Sequence, residues 1–133
     1  FDTCSLTEKG CHYIGRLISQ EPRLAELDLS IRYNDVQFNG VQCICAGLIS
    51  VKKVEKLKLN FEGTKIGDHA ANYLASCLLK LRSLSSVDLN LENCELSSPT
   101  MTTIVRAVRE CCQKGEEITI DMRRNREIKK ELL

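Results

Sequence analysis

The segment LDLSIRYNDV (27–36) is answered 30 residues later by LKLNFEGTKI (57–66), and after a further 30 by VDLNLENCEL (87–96). In each, apolar residues alternate with polar ones: Leu27, Leu29 and Ile31; Leu57, Leu59 and Phe61; Val87, Leu89 and Leu91. An alternation of period two is the signature of a strand with one buried face, because successive side chains point to opposite sides of a sheet. The alternation then breaks at Asn34, Thr64 and Cys94, a column that also takes in Cys4. Two residues on, Leu6, Val36, Ile66 and Leu96 form a further apolar column.

Working outward, the same spacing carries Leu24, Val54 and Leu84 ahead of the strands. Behind them run Ile14, Ile44, Leu74 and Ile104, and then Ile18, Leu48, Leu78 and Val108. In these second halves the apolar period lengthens. Val41, Ile44, Leu48 and Val51 make one stripe; Ala71, Leu74, Cys77, Leu78 and Leu81 make another, at the three- and four-residue spacing of a helix with one buried side. Each unit is therefore a strand followed by a helix, and neither can bury its apolar side alone. Stacking the units predicts a parallel sheet with the helices on its other side, an α/β solenoid in which strands line the concave face and helices the convex one.

These segments resemble the strand-and-turn part of the leucine-rich repeat, and the Asn/Thr/Cys column matches the family position where a small hydrogen-bonding side chain ties down the turn. The helical half resembles the ribonuclease-inhibitor-like subfamily, whose unit of about 28 residues is lengthened here by two. KIGDHAANYLASCLLKLRSLSSVDLNL (65–91) also resembles the lengthened repeats common in large cytoplasmic proteins of single-celled eukaryotes. The resemblance covers essentially residues 1–122. It implies a right-handed α/β horseshoe segment and a role in protein recognition, since such arrays serve as inhibitors, ligand-sensing domains of immune receptors, ubiquitin-ligase substrate adaptors and structural subunits. We read residues 1–133 as a single domain: a partial repeat (1–23), repeats over 24–53, 54–83 and 84–117, and a terminal strand and cap over 118–133. The last strand, Ile118–Met122, is expected at a lengthened spacing of 33 residues, followed by a charged capping helix from Arg123 to Leu133.

Composition narrows the function classes. Nineteen Lys and Arg oppose 18 Asp and Glu, a net charge of +1, so no basic excess points to nucleic acid or an acidic membrane. No apolar run reaches the length of a membrane span and no signal peptide is evident, which with the absence of an Asn-x-Ser/Thr sequon predicts a cytoplasmic, reducing location. Eight cysteines would suit a disulfide scaffold, but they fall in repeat columns. Cys4 and Cys94 occupy the turn column, while Cys11 and Cys77 align with small residues of the helical stripes. Cys43-Ile44-Cys45 and Cys111-Cys112 lack the spacing of a zinc knuckle. They read as core filling. His12 and His69 fall in polar columns, no acid pairs with either, and no glycine-rich phosphate loop exists. We therefore expect no metal, no cofactor and no catalytic activity. The basic run Arg123, Arg124, Arg126, Lys129 and Lys130 is broken by Glu127 and Glu131 and reads as a solvated helix.

The polar residues between the strand leucines carry the functional expectation. In columns they are Glu26, Lys56 and Ser86; Asp28, Lys58 and Asp88; Ser30, Asn60 and Asn90; and Arg32, Glu62 and Glu92. A face of mixed, patterned charge suits recognition of a protein partner better than a small-molecule pocket. The candidate contact residues are accordingly Glu26, Asp28, Arg32, Lys56, Lys58, Asn60, Glu62, Asp88, Asn90 and Glu92. The alternative is a structural subunit: the N-terminal end shows no polar cap, which predicts that the chain belongs to a longer array or packs through that end in a larger assembly.

Overall fold

A computed structural model describes residues 8–51, 53–112 and 117–125. Helices and strands alternate strictly: α1 (Glu8–Ser19), β1 (Glu26–Ser30), α2 (Gln37–Val51), β2 (Lys56–Asn60), α3 (Gly67–Leu78), β3 (Ser86–Asn90), α4 (Ser98–Cys111) and β4 (Glu117–Asp121). The four strands form one parallel sheet in sequence order. Each strand packs on the next strand and each helix on the next helix.

The register follows the sequence columns. Leu27 pairs with Leu57, Leu57 with Val87, and Val87 with Ile118. The last step is 31 residues, not the expected 33, so a single added residue separates β3 from β4. The strand starts at Glu117, one residue before the expected Ile118. The backbone ladder continues past the strand ends: Ile31 and Tyr33 donate to the Asn60 and Glu62 carbonyls, Phe61 and Gly63 to those of Asn90 and Glu92, and Leu91 and Asn93 to those of Asp121 and Arg123.

The core lies between the sheet and the helices. Leu57, Leu59, Val87 and Leu89 join Val41, Ile44, Leu48, Leu74, Leu78 and Ile104 in one buried cluster, with Ile31, Phe61 and Leu91 fully enclosed in the turn just beyond the strands. The turn is held by the column the sequence singles out. The Asn34 amide donates to the carbonyls of Ile31 and Arg32 at 3.1 and 3.2 Å. The Thr64 hydroxyl donates to Phe61 O at 2.7 Å, and the Cys94 thiol to the same carbonyl at 3.0 Å. Asn125, outside the 30-residue column, joins it as a further member. Its Oδ1 accepts the Cys94 and Leu96 N–H groups at 2.9 Å each, and its Nδ2 donates to Leu91 O at 2.9 Å and Met122 O at 2.7 Å.

Two features of the turns and helices limit substitution. The residue before the tie adopts positive φ in each described turn: Tyr33 at 57°, Gly63 at 70°, Asn93 at 54° and Arg124 at 59°. At Gly63 a side chain would also run into the Tyr33 ring. Between α1 and α2, a Cβ on Gly47 would sit 2.5 Å from the Gly15 carbonyl oxygen, and one on Gly15 would strike the Cys43 carbonyl. The two helices thus meet backbone to backbone.

The charged capping helix expected from Arg123 begins differently. Residues 123–125 form a turn, with Arg124 left-handed and Asn125 bonded back to the preceding unit, a geometry incompatible with continuous helix. Arg126, Glu127, Lys129, Lys130 and Glu131 lie outside the described residues, as do Cys4 and Leu6 of the partial first repeat.

Candidate protein-interaction surface

Alternation along β1 to β4 turns one set of side chains into the core and the other outward. Two outward rows result. The first runs Glu26, Lys56, Ser86, Glu117; the second runs Asp28, Lys58, Asp88, Thr119. Together with the strand backbone they line a shallow open depression of about 420 Å³. Glu26, Asp28, Lys56, Lys58, Glu117 and Thr119 are exposed; Ser86 and Asp88 are half-buried. Glu117 and Thr119 belong to this face through the 31-residue step, and extending the alternation into Ile118-Thr119-Ile120 is the signal that finds them.

The rows differ in how their charges are met. In the first, Lys56 Nζ lies 3.7 Å from Glu26 Oε1, an exposed pair of small energetic weight. In the second, Asp28, Lys58 and Asp88 sit side by side in register, yet none has an ion pair among the described residues, and neither does Glu117.

Toward the turns, the remaining candidates are engaged with the protein itself. The Asn60 and Asn90 Oδ1 atoms accept the N–H groups of Glu62 and Glu92 at 3.0 and 2.9 Å, and Asp121 does the same for Arg123 at 3.1 Å. These side chains shape the turn. Arg32 lies 3.5 Å from Glu62, and the Tyr33 phenol donates to Glu62 Oε2 at 2.8 Å, a bond that raises the tyrosine pKa. Glu92 is 5% exposed; Arg124 Nε approaches its carboxylate at 3.2 Å and Arg123 at 3.6 Å. Arg123 also pairs with Asp121 at 2.7 Å, which holds that carboxyl below its usual range. Of the ten candidates, Glu26, Asp28, Lys56, Lys58 and Asp88 are therefore gathered around the depression. Arg32, Asn60, Glu62, Asn90 and Glu92 form a second, internally bonded belt.

Elsewhere the chemistry is sparse. Cys43, Cys45, Cys77, Cys94, Cys111 and Cys112 are free thiols. Cys45 and Cys77 meet across α2 and α3, where the contact with Cys77 and then burial push the Cys45 thiol far upward and keep it protonated. Cys94 is likewise raised, by burial. The Cys43 sulfur lies 3.9 Å from His12 Nδ1 on the outer side of α1 and α2. His69 stacks on Phe38 at 4.3 Å between ring centroids, with Tyr73 edge-on to the same phenyl ring. Among the described residues no group of three or more His, Cys, Asp or Glu could hold a metal ion. No described helix is long and apolar enough to cross a membrane.

No family model matches the chain. Over 45 residues it is 47% identical to the NACHT, LRR and PYD domains-containing protein 1a allele 1 of Rattus norvegicus, and equally to 1a allele 4 and to protein 1 allele 2 of the same species. The matched stretch is 34% of this chain and 4% of each relative, so the chain spans a small part of the curated relatives it matches. What the chain resembles is a short piece of LRR-containing proteins, and four parallel strands alternating with helices are compatible with that likeness.

Proposed function

We propose that this chain is a segment of a leucine-rich repeat solenoid of the ribonuclease-inhibitor type, and that it acts as a non-catalytic module binding a protein partner through the strand-lined, concave face. One observation carries the reading: the sheet turns the aliphatic side chains of β2 and β3 into the core and offers, on the other face, a depression lined by carboxylates and ammonium groups. A face so charged would cost nothing to leave solvated and gives strong discrimination between partners. The partial likeness to LRR-containing relatives supports it. Buried protonated thiols used as small core residues suit a reducing, cytoplasmic setting.

The test is affinity capture from native extract, comparing the chain with a Lys56→Glu, Lys58→Glu double variant after circular dichroism has shown that both fold. A partner held by the parent and lost by the variant supports recognition through this face. A partner held equally by both moves the interface elsewhere.

A second reading, a structural piece packed into a larger assembly through its α1–β1 end, is favoured by the burial columns. Gly47, Cys77 and Ala107 are buried, whereas Leu17 in the same column is 47% exposed. Leu27 is half-buried and Ile118 is 39% exposed, while Leu57 and Val87 between them are enclosed, so the strand column is open at both outer strands. Stoichiometric co-purification insensitive to the double variant is the result this reading expects.

A further inference from the structure

Resting on the recognition reading above, we infer that the strand face takes an α-helix laid across the strands, with a cationic, an anionic and a cationic side chain on successive turns. The second outward row dictates the order. Asp28, Lys58 and Asp88 stand in register on three adjacent strands, negative, positive and negative. All three lack an ion pair among the described residues, and all three line the depression. The complement is positive, negative, positive.

Spacing selects the helix. Neighbouring strands lie about 4.8 Å apart, so the row steps by about 4.8 Å and spans about 9.6 Å from Asp28 to Asp88. A helix rises about 1.5 Å per residue, so side chains at i, i+4 and i+7 step along one side by about 6.0 and 4.5 Å and overshoot the whole row by only about 0.9 Å. An extended segment repeats its same-face side chains every 6.6–6.8 Å or so and is out of step by about 2 Å at each strand. Small neighbours leave room for the cylinder: Ser86 lies beside Asp88 on the same strand face, and Thr119 continues the charged row. With Lys56 offset by Glu26, the remaining charges of the lining are Asp28, Asp88 and Glu117 against Lys58, a negative excess, so the favoured helix is basic overall.

The probes are lactam-stapled alanine-based helices carrying Arg–Glu–Arg, Glu–Arg–Glu or Arg–Arg–Arg at i, i+4 and i+7, and an unstapled, proline-containing peptide with the Arg–Glu–Arg order. Each is titrated into the isotope-labelled full chain at low ionic strength and followed by amide chemical shifts. Exposed ion pairs contribute a factor of about two to three each, so three in register should favour Arg–Glu–Arg over Glu–Arg–Glu by about tenfold or more. The shifts should centre on Asp28, Lys58 and Asp88. A Lys58→Glu variant should turn the preference toward Arg–Arg–Arg. Equal binding of the two charge orders, shifts centred elsewhere, or an extended peptide binding as well as the helix overturns the helix inference. If a captured natural partner is still lost on Lys56→Glu, Lys58→Glu while the peptides show no order preference, the recognition reading stands and only the helix falls. If capture is insensitive to that variant, it is the recognition reading that fails.

Discussion

Asn125 offers the sharpest test of how the units are joined. Replacing it with alanine removes an acceptor shared by the Cys94 and Leu96 N–H groups, each at 2.9 Å, and a donor serving Leu91 O and Met122 O at 2.9 and 2.7 Å. The bonds to Cys94, Leu96 and Leu91 cross from one unit to the next. Each intramolecular hydrogen bond is worth about 0.5–1.5 kcal/mol net, and a donor left unmet in a half-buried site costs more. Water can reach part of this turn, so we take the lower half of the range for the four bonds and expect Asn125→Ala to destabilise the fold by about 2–4 kcal/mol. Thr64→Val provides the comparison. Its hydroxyl donates to Phe61 O at 2.7 Å within its own turn and reaches the next unit only through the Cys94 sulfur at 3.6 Å, so its loss should cost about 1 kcal/mol. The assay is urea unfolding followed by circular dichroism, with equal m-values required for a like-for-like comparison. If Asn125→Ala costs no more than Thr64→Val, the cross-unit bonds do not carry the stability assigned to them and the reasoning fails.

Gly47→Ala places a methyl group 2.5 Å from the Gly15 carbonyl and should destabilise by about 1–3 kcal/mol, whereas Gly67→Ala, with open space but φ of 80°, should cost about 1–2 kcal/mol; equal thermal midpoints for the parent and Gly47→Ala would refute the close helix contact. Burial, then the neighbouring Cys112, push the Cys111 thiol from 9.0 up to about 11. The protonated thiol's contribution is thus whole below the ordinary value and is lost as pH climbs toward 11, giving an alkaline fall in urea midpoint that Cys111→Ala should flatten. Asp121 is depressed by Arg123, so its contribution is present above the ordinary carboxylate range and lost as pH falls through its lowered value; because its partner Arg123 is exposed and the pair is screened, Asp121→Asn should remove only a shallow acid-limb dependence, measured in the same titration.

The strands and their register were legible because period-two alternation and a 30-residue step are both written in aliphatic residues, and burial enforces both. The β4 offset was less so: Lys114, Gly115 and Glu116 carry no apolar column to count from, and only pairing fixes Ile118 opposite Val87. The face itself divides at the strand ends. Alternation holds for Glu26, Asp28, Lys56, Lys58 and Asp88, all within strands. It stops at Ser30, Asn60 and Asn90, so Arg32, Glu62 and Glu92 were extrapolated into a turn where the chain no longer alternates. That is why Glu92, expected in an outward row, is buried beneath two guanidiniums. Asn125 escaped notice for a related reason: its column had shifted by one residue, and it stood inside a run that reads by composition as charged helix.

The stacking of Tyr33 on Gly63 ties two positions 30 residues apart into one unit of inheritance. A side chain at 63 has nowhere to go while the ring at 33 stays, and the ring in turn keeps its phenol on Glu62 and its face 5.8 Å from the Arg32 guanidinium carbon. A lineage gaining a side chain at 63 would pass through a clash unless the ring had first been lost. Variation at 33 should therefore precede variation at 63, and loss of the glycine should mark sequences in which the aromatic is already gone.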